Sequence, residues 1–324
     1  MQIKRVFAGA AAVFAVVLAQ GTAAQAPYPS RPIRVIFPFA AGGAGDIFVR
    51  TYGQKFADKF GQNWVLDNRG GAGSTIGTDL VAKAAADGYT LLQATLTFAV
   101  SAAVYSKLPY DVERDFAPIT TLVNVVPILA ATPSLPVSGV QELIAYAKTR
   151  PGQLSFASTG PGSSPHLTGE LFKRMTGIEM THVPYKGTSQ AFPDLIAGRV
   201  QLIFEPMPSM LPHVRAGRMK ALGVTTSKRS NAAPEIPTIA EQGLEGFDVV
   251  TWYGMLAPAG TPKPVLETLH AAIVEFAALP DVRERLSGIG AEPATLSPAE
   301  FAAMIRRDVA RWKAVAREAN IKLD

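Results

Sequence analysis

The chain contains no cysteine. That excludes a disulfide framework, a lipid-attachment cysteine and any metal site built on thiolates. Histidine is scarce as well: His166, His182, His213 and His270 are the four present, and no two stand at metal-ligand spacing, so no metal is expected. No glycine loop runs into Gly-Lys-Ser or Gly-Lys-Thr, and Gly71, Gly73 and Gly77 miss the dinucleotide fingerprint by one residue. No Gly-x-Ser-x-Gly elbow exists either. Nucleotide cofactors and the lipase-like hydrolase arrangement therefore lack their signatures, and no cofactor is expected. Blocks of like charge are also missing, which leaves no basic stripe for nucleic acid.

Beyond the first 26 residues the chain has no apolar run long enough to span a bilayer. Residues 1–26 stand apart: Lys4 and Arg5 make a basic start, an apolar stretch follows, and Ala24-Gln25-Ala26 gives a small-x-small cleavage signal. This reads as a secretory signal peptide, with export to the periplasm as the expected fate. Removing Lys4 and Arg5 takes the formal charge from +5 to +3, a mildly basic surface compatible with small anions. A hydrophobic fraction of 48% places the remainder among globular chains rather than disordered ones.

Glycine and proline are plentiful, at 28 and 25, and they punctuate a repeated pattern. Ile33, Val35, Ile36 and Phe37 form a strand-like run ended by Pro38; a nearly side-chain-free turn, 40–45, precedes Asp46, read as the N-cap of a helix. A strand ending in a small-residue turn and a helix N-terminus is a plausible anion site, because orphan N–H donors and the helix dipole both favour negative charge. The pattern recurs at 68–75, 158–164 and 186–189. Strand–helix alternation with short connections predicts an α/β fold with parallel sheets covered on both faces. In such sheets ligands bind beyond the carboxyl ends of strands, so the four turns could share one cleft.

Two apolar runs, 119–131 and 247–258, are longer than ordinary strands and read as the chain leaving one lobe and returning to it. The expected organisation is lobe 1 from 27–125 plus 253–324 and lobe 2 from 126–252, with the last two amphipathic helices packing back on lobe 1. Ser138 with Gln141, and Ser297 with Glu300, suggest capping boxes. Glu205 follows four apolar strand residues and falls at the expected cleft edge, where it accepts hydrogen bonds from a ligand, or else caps a helix or bridges the lobes. His166 lies just inside a helix N-terminus; a structural role and a catalytic one both remain open.

PFAAGGAGD at 38–46, DNRGGAGSTIG at 67–77, STGPGSSPHL at 158–167, VPYKG at 183–187 and WYGMLAPAGTP at 252–262 together resemble the Bug-type periplasmic solute-binding receptors of the tripartite tricarboxylate transporter family. The resemblance spans essentially the whole mature chain. It implies a two-lobed Venus flytrap fold with two crossing strands, closure on a small organic carboxylate held largely by backbone amides and ordered water, and delivery to membrane permease subunits. Dicarboxylates, aromatic acids and amino acids all fall within that expectation, and a non-enzymatic monomer is implied. The ligand-binding positions it implies are Phe39, Ala41, Gly42, Gly43 and Asp46 in the first turn and Ser74 in the second. In the third they are Ser158, Thr159, Gly160, Ser163, Ser164 and His166. Lys186 and Gly187 would flank the carboxylate, and Glu205 would meet the distal end of the ligand. A secreted enzyme with Glu205 and His166 as an acid/base pair, and a ligand sensor docking on a signalling partner, are the competing readings.

Overall fold

The computed structural model describes residues 28–318 and 321–323, so the expected signal peptide lies outside the described residues. The first lobe takes its opening elements from β1 (Ile33–Phe37), α1 (Ala44–Phe60), β2 (Trp64–Asn68), α2 (Thr75–Ala82), β3 (Thr90–Thr95), α3 (Leu96–Val104) and β4 (Phe116–Val125). The chain then builds the second lobe with β5 (Pro127–Ala131), α4 (Val140–Lys148), β6 (Leu154–Ser158), α5 (Ser164–Thr176), β7 (Met180–Pro184), α6 (Thr188–Ile196), β8 (Leu202–Pro206), α7 (Met207–Arg215) and β9 (Lys220–Val224). It returns through β10 (Thr251–Pro258), α8 (Lys263–Ala278), α9 (Pro280–Ser287), β11 (Ala291–Pro293) and α10 (Pro298–Glu318).

Local chemistry explains most boundaries. Gly61 and Gly177 end α1 and α5 in the left-handed region, at φ 65° and 69°, each returning its N–H to the last turn. Pro165 occupies the first turn of α5, where its missing N–H costs nothing. The Ser297–Glu300 capping box forms reciprocally, at 2.9 Å and 3.3 Å through the two backbone N–H groups. At α4 the carboxylate that reaches back to Ser138 N is Glu142, at 2.8 Å, rather than Gln141, and the helix starts after Gly139.

The sheets are mixed rather than parallel. The six-stranded sheet has the order β11-β4-β10-β3-β1-β2 and the five-stranded sheet β7-β6-β8-β5-β9. β1 runs parallel to β2 and β3, whereas β10 lies antiparallel to both β3 and β4; likewise β6 is parallel to β7 and β8, and β5 antiparallel to β8 and β9. The outgoing strand β4 and the returning strand β10 lie side by side, so the return necessarily reverses direction. The short edge strand β11, pairing Ala291 with Val125, also breaks the expectation of helices alone at the C-terminal end.

Register places the loops. Phe37 stands opposite Asn68, so the turns after β1 and β2 leave from the same edge of the first sheet. Ser158 stands opposite Pro184, which does the same for the turns after β6 and β7 in the second. Beneath these edges the first lobe buries Phe48, Tyr52 and Phe56 of α1 with Leu269, Ile273 and Phe276 of α8. The second packs Ile128, Ala157, Leu195 and Ile203 around Met207 and Met210 of α7. A further cluster runs from Phe98, Phe301 and Trp312 in the first lobe to Leu129, Phe156 and Phe172 in the second.

Candidate functional site

Between the lobes lies a cavity of about 50 Å³, measured as space for the centres of water-sized spheres. A single water needs roughly 10–15 Å³ by that measure, so the space suits a small solute. The first lobe contributes Phe37, Phe39, Ala40, Gly43, Ala44, Thr95, Thr97, Thr251 and Tyr253 to its walls. The second contributes Pro127, Thr159, Ser164, Pro165, Thr168, Thr188, Phe204, Glu205 and Pro206.

Five helices begin at these walls. The first residues or N-caps of α1 (Gly43, Ala44), α3 (Thr95), α5 (Ser164), α6 (Thr188) and α7 (Pro206) all line the cavity. Each N-terminus brings the positive end of a helix dipole, although Thr97 N, Ser164 N and Met207 N are already bonded to Thr95 Oγ1, Thr97 Oγ1 and the Val126 carbonyl, and Pro165 and Pro208 have no N–H to offer. The hydroxyls of Thr159, Ser164, Thr251 and Tyr253 make no hydrogen bond among the described residues, which adds four uncommitted donors to the same walls. Phe37, Phe39 and Phe204 supply the apolar remainder. The result is a donor-rich site with an apolar remainder, an arrangement that suits an anion with an apolar body.

The lobes meet around it through backbone. Ala40 N–H donates to the Lys186 carbonyl at 3.2 Å, Ser189 Oγ to the Ala41 carbonyl at 2.7 Å, and Ser164 N–H to Thr97 Oγ1 at 3.1 Å. Tyr105 donates its hydroxyl to the Pro161 carbonyl at 3.2 Å. Glycine permits this approach: a Cβ at Gly73 would stand 2.1 Å from the Pro161 oxygen, and one at Gly187 would stand 2.7 Å from Ala40 Cβ.

Glu205 is the charged group of the cavity, 2% exposed at the end of β8. Its Oε1 accepts from Ser209 Oγ at 2.5 Å and its Oε2 from Thr188 Oγ1 at 2.8 Å. Burial pushes its carboxyl up to about 7, although both hydroxyls pull the other way. Tyr253, 5% exposed, is held well above the usual phenol range, first by burial and then by the negative charges of Glu205 and Asp46.

Of the positions expected from sequence, Phe39, Gly43, Thr159, Ser164 and Glu205 come together on the cavity wall. Ala41 and Gly42 lie on the exposed outer side of the first turn, while Gly187 is the N-cap of α6 behind Ala40. Asp46 does not cap α1; Gly43 does, and Asp46 sits in the first turn, accepting from Gly42 N at 2.7 Å and Asn68 Nδ2 at 2.9 Å. It braces the turn from inside. Ser74 caps α2 in a left-handed conformation, away from the cavity walls.

The loop after β6 is tied together by its own side chains. Ser158 Oγ bonds Gly160 N and lies 2.6 Å from His182 Nε2, and Ser163 Oγ donates to the Gly160 carbonyl at 2.7 Å. His166 accepts from Gly162 N at 3.2 Å and stacks on His182 with ring centres 3.9 Å apart. Burial, then the neighbouring imidazole and Lys173, lower His166 to about 3, so it is neutral. Its partners and those of Glu205 are different residues, and the two do not form a pair. Lys186 is exposed and offers the site its carbonyl rather than its ammonium group.

Sequence reasoning missed Thr95, Thr97, Thr168, Thr188, Thr251 and Tyr253. For Thr188 a signal existed, since it lies inside the glycine turn 186–189; Thr168 sits in an amphipathic helix and the others within apolar runs, which give no local mark of facing a cavity. Among the described residues no cluster of potential metal ligands occurs, and no helix is long and apolar enough to cross a membrane.

Comparison with known proteins agrees with this geometry. BugT of Bordetella pertussis is 38% identical over 298 residues, covering 91% of each chain. The structure of R. palustris Rpa4515 with adipate matches with a TM-score of 0.89 at 37% identity, over 91% of this chain and 99% of that one. MatC from Rhodopseudomonas palustris, with bound malate, matches with a TM-score of 0.84 at 32% identity, over 89% and 99%. The model of the tripartite tricarboxylate transporter family receptor matches residues 48–321. The two-lobed periplasmic binding protein fold and this match over most of the chain lead to one conclusion: the protein belongs to the tripartite tricarboxylate transporter receptor family.

Proposed function

We propose that this protein captures a small organic carboxylate between its lobes in the periplasm and delivers it to the membrane permease of a tripartite tricarboxylate-type transporter. One observation carries the reading: five helix N-termini from both lobes end on a single cavity between them. Enclosing an anion costs several kcal/mol unless its lone pairs are met, and orphan N–H groups with uncommitted hydroxyls meet them. A micromolar site requires about 8 kcal/mol of net binding, within reach of a few charge-assisted hydrogen bonds and apolar contact. The adipate and malate in the two related structures are carboxylates of this kind.

The site residues in this reading are those on the wall: backbone N–H groups of Gly43 and Ala44, and Thr159 and Ser164 facing them from the second lobe. Closure swings the lobes about the crossings between β4 and β5 and before β10. In this reading the protein works as a receptor, which is supported by the different hydrogen-bond partners of Glu205 and His166. Mass spectrometry of small molecules released when the purified protein is denatured tests this. An unaltered organic acid, recovered again after prolonged incubation with it, is the expected result. Chemical conversion of the acid by the wild type, abolished in Glu205→Gln, would overturn it.

A further inference from the structure

The wall nearest the crossing strands has a chemistry of its own. There Glu205 and Pro206 of β8 lie beside Pro127, with Thr251 and Tyr253 contributed by β10. No cation pairs with Glu205 among the described residues. An ionised carboxylate offers about four lone-pair sites; Thr188 and Ser209 fill two. Acceptor capacity remains open on a group that is almost wholly buried. Next to it Tyr253, nineteen-twentieths buried on the same wall, has a hydroxyl with no partner among the described residues. One unfilled acceptor and one uncommitted donor therefore line the same cavity, near enough for the Glu205 charge to act on the Tyr253 hydroxyl.

Each class of ligand group answers that pair differently. A methyl leaves both unmet. A second carboxylate accepts from Tyr253 but sets a like charge against Glu205 in a poorly hydrated space, which is costly. An ammonium suits Glu205 but brings three donors and a positive charge toward the N-termini of α6 and α7, which open on this wall. An alcohol donates to Glu205 and accepts from Tyr253 at once, with no charge to bury.

We propose that Glu205 and Tyr253 form a subsite for a hydroxyl on the ligand, so that the protein selects hydroxy-monocarboxylates over dicarboxylates of equal length. The inference rests on the carboxylate-receptor reading, since it assumes that the helix N-termini hold the acid group. Glu205 sets the preference by what it repels as much as by what it accepts.

Isothermal titration calorimetry at pH 8 tests this with linear acids of four to six carbons whose far end is methyl, hydroxyl, ammonium or carboxylate. In the wild type the ω-hydroxy acid binds about tenfold or more tighter than the alkanoate, the amino acid and the diacid of its length, as a charge-assisted hydrogen bond provides. Tyr253→Phe narrows the gap between the hydroxy acid and the alkanoate of its length, and Glu205→Gln narrows it further. Glu205→Gln tightens the diacid. A wild type that prefers the diacid or the amino acid, or that does not separate hydroxy acid from alkanoate, overturns the inference and leaves the receptor reading standing. Absence of binding by every acid overturns both.

Discussion

The backbone N–H of Ala40 in the first lobe donates to the carbonyl oxygen of Lys186 in the second, at 3.2 Å, directly behind the cavity wall. Neither side chain takes part. The neighbouring contact from Ser189 Oγ likewise ends on a backbone carbonyl, that of Ala41. The lobes are thus joined through backbone groups, met either by another backbone group or by one side-chain hydroxyl, which demands small residues at the loop tips and ties the loops that hold the donors to this arrangement of the lobes. A ligand that binds only the closed form shifts the lobes by its differential affinity for that form.

Gly73→Ala follows from that arrangement. The glycine belongs to the first lobe, has φ 57°, and a Cβ on it would lie 2.1 Å from the Pro161 oxygen of the second. Alanine adds about 1–2 kcal/mol of left-handed strain and obstructs closure. Ligand affinity falls by tenfold or more, while the melting temperature of the unliganded protein falls only a few degrees. Calorimetry of binding and of unfolding separates the two effects. Equal affinity in the variant would contradict the closed arrangement.

Glu205 makes stability depend on pH. Its folded value is about 7, against 4.5 for an unperturbed group. Between those values the native state keeps a proton that the unfolded chain releases, so stability falls as pH rises from 4.5 to 7 and stays low above it. The shift corresponds to about 3 kcal/mol. Glu205→Gln removes this dependence. Relative to wild type, the melting temperature of the variant is higher at pH 8 than at pH 5 by several degrees. A constant difference across that range would contradict an unpaired buried carboxyl.

The stacked imidazoles act in the opposite sense. Burial first, then Lys173 and, for His166 alone, the neighbouring imidazole, lower His166 to about 3 and His182 to about 4. The unfolded chain takes up protons below about 6.5, the native state only near the lowered values. Stability is therefore full above pH 6.5 and is lost as pH falls toward 4. In His182→Gln the melting temperature declines less steeply over that window. Comparing it with wild type cancels the opposing trend from Glu205.

The legible part of the molecule was its punctuation. Runs such as 33–37, closed by proline, mark strands, turns and the helix starts after them, and four small-residue turns imply a cleft. Direction was not legible: nothing in the alternation of 251–258 says that the returning strand runs against β3 and β4. Asp46 looked like a cap because it precedes an apolar stripe, yet Gly43 in an extended conformation starts the helix three residues earlier. Tyr253 was hidden in an apolar run, since its meeting with Glu205 depends on the packing of two lobes far apart in sequence.

The most direct test of an anion held by converging helix N-termini is a thermal-shift titration that pairs small organic carboxylates with their primary amides. A carboxylate at a hundred times its dissociation constant adds about 2.7 kcal/mol, which raises the melting temperature by about 5 °C for a protein of this size. The expected result is a shift with the acid and none with its amide. Equal shifts from both, or none from any carboxylate, would contradict the account.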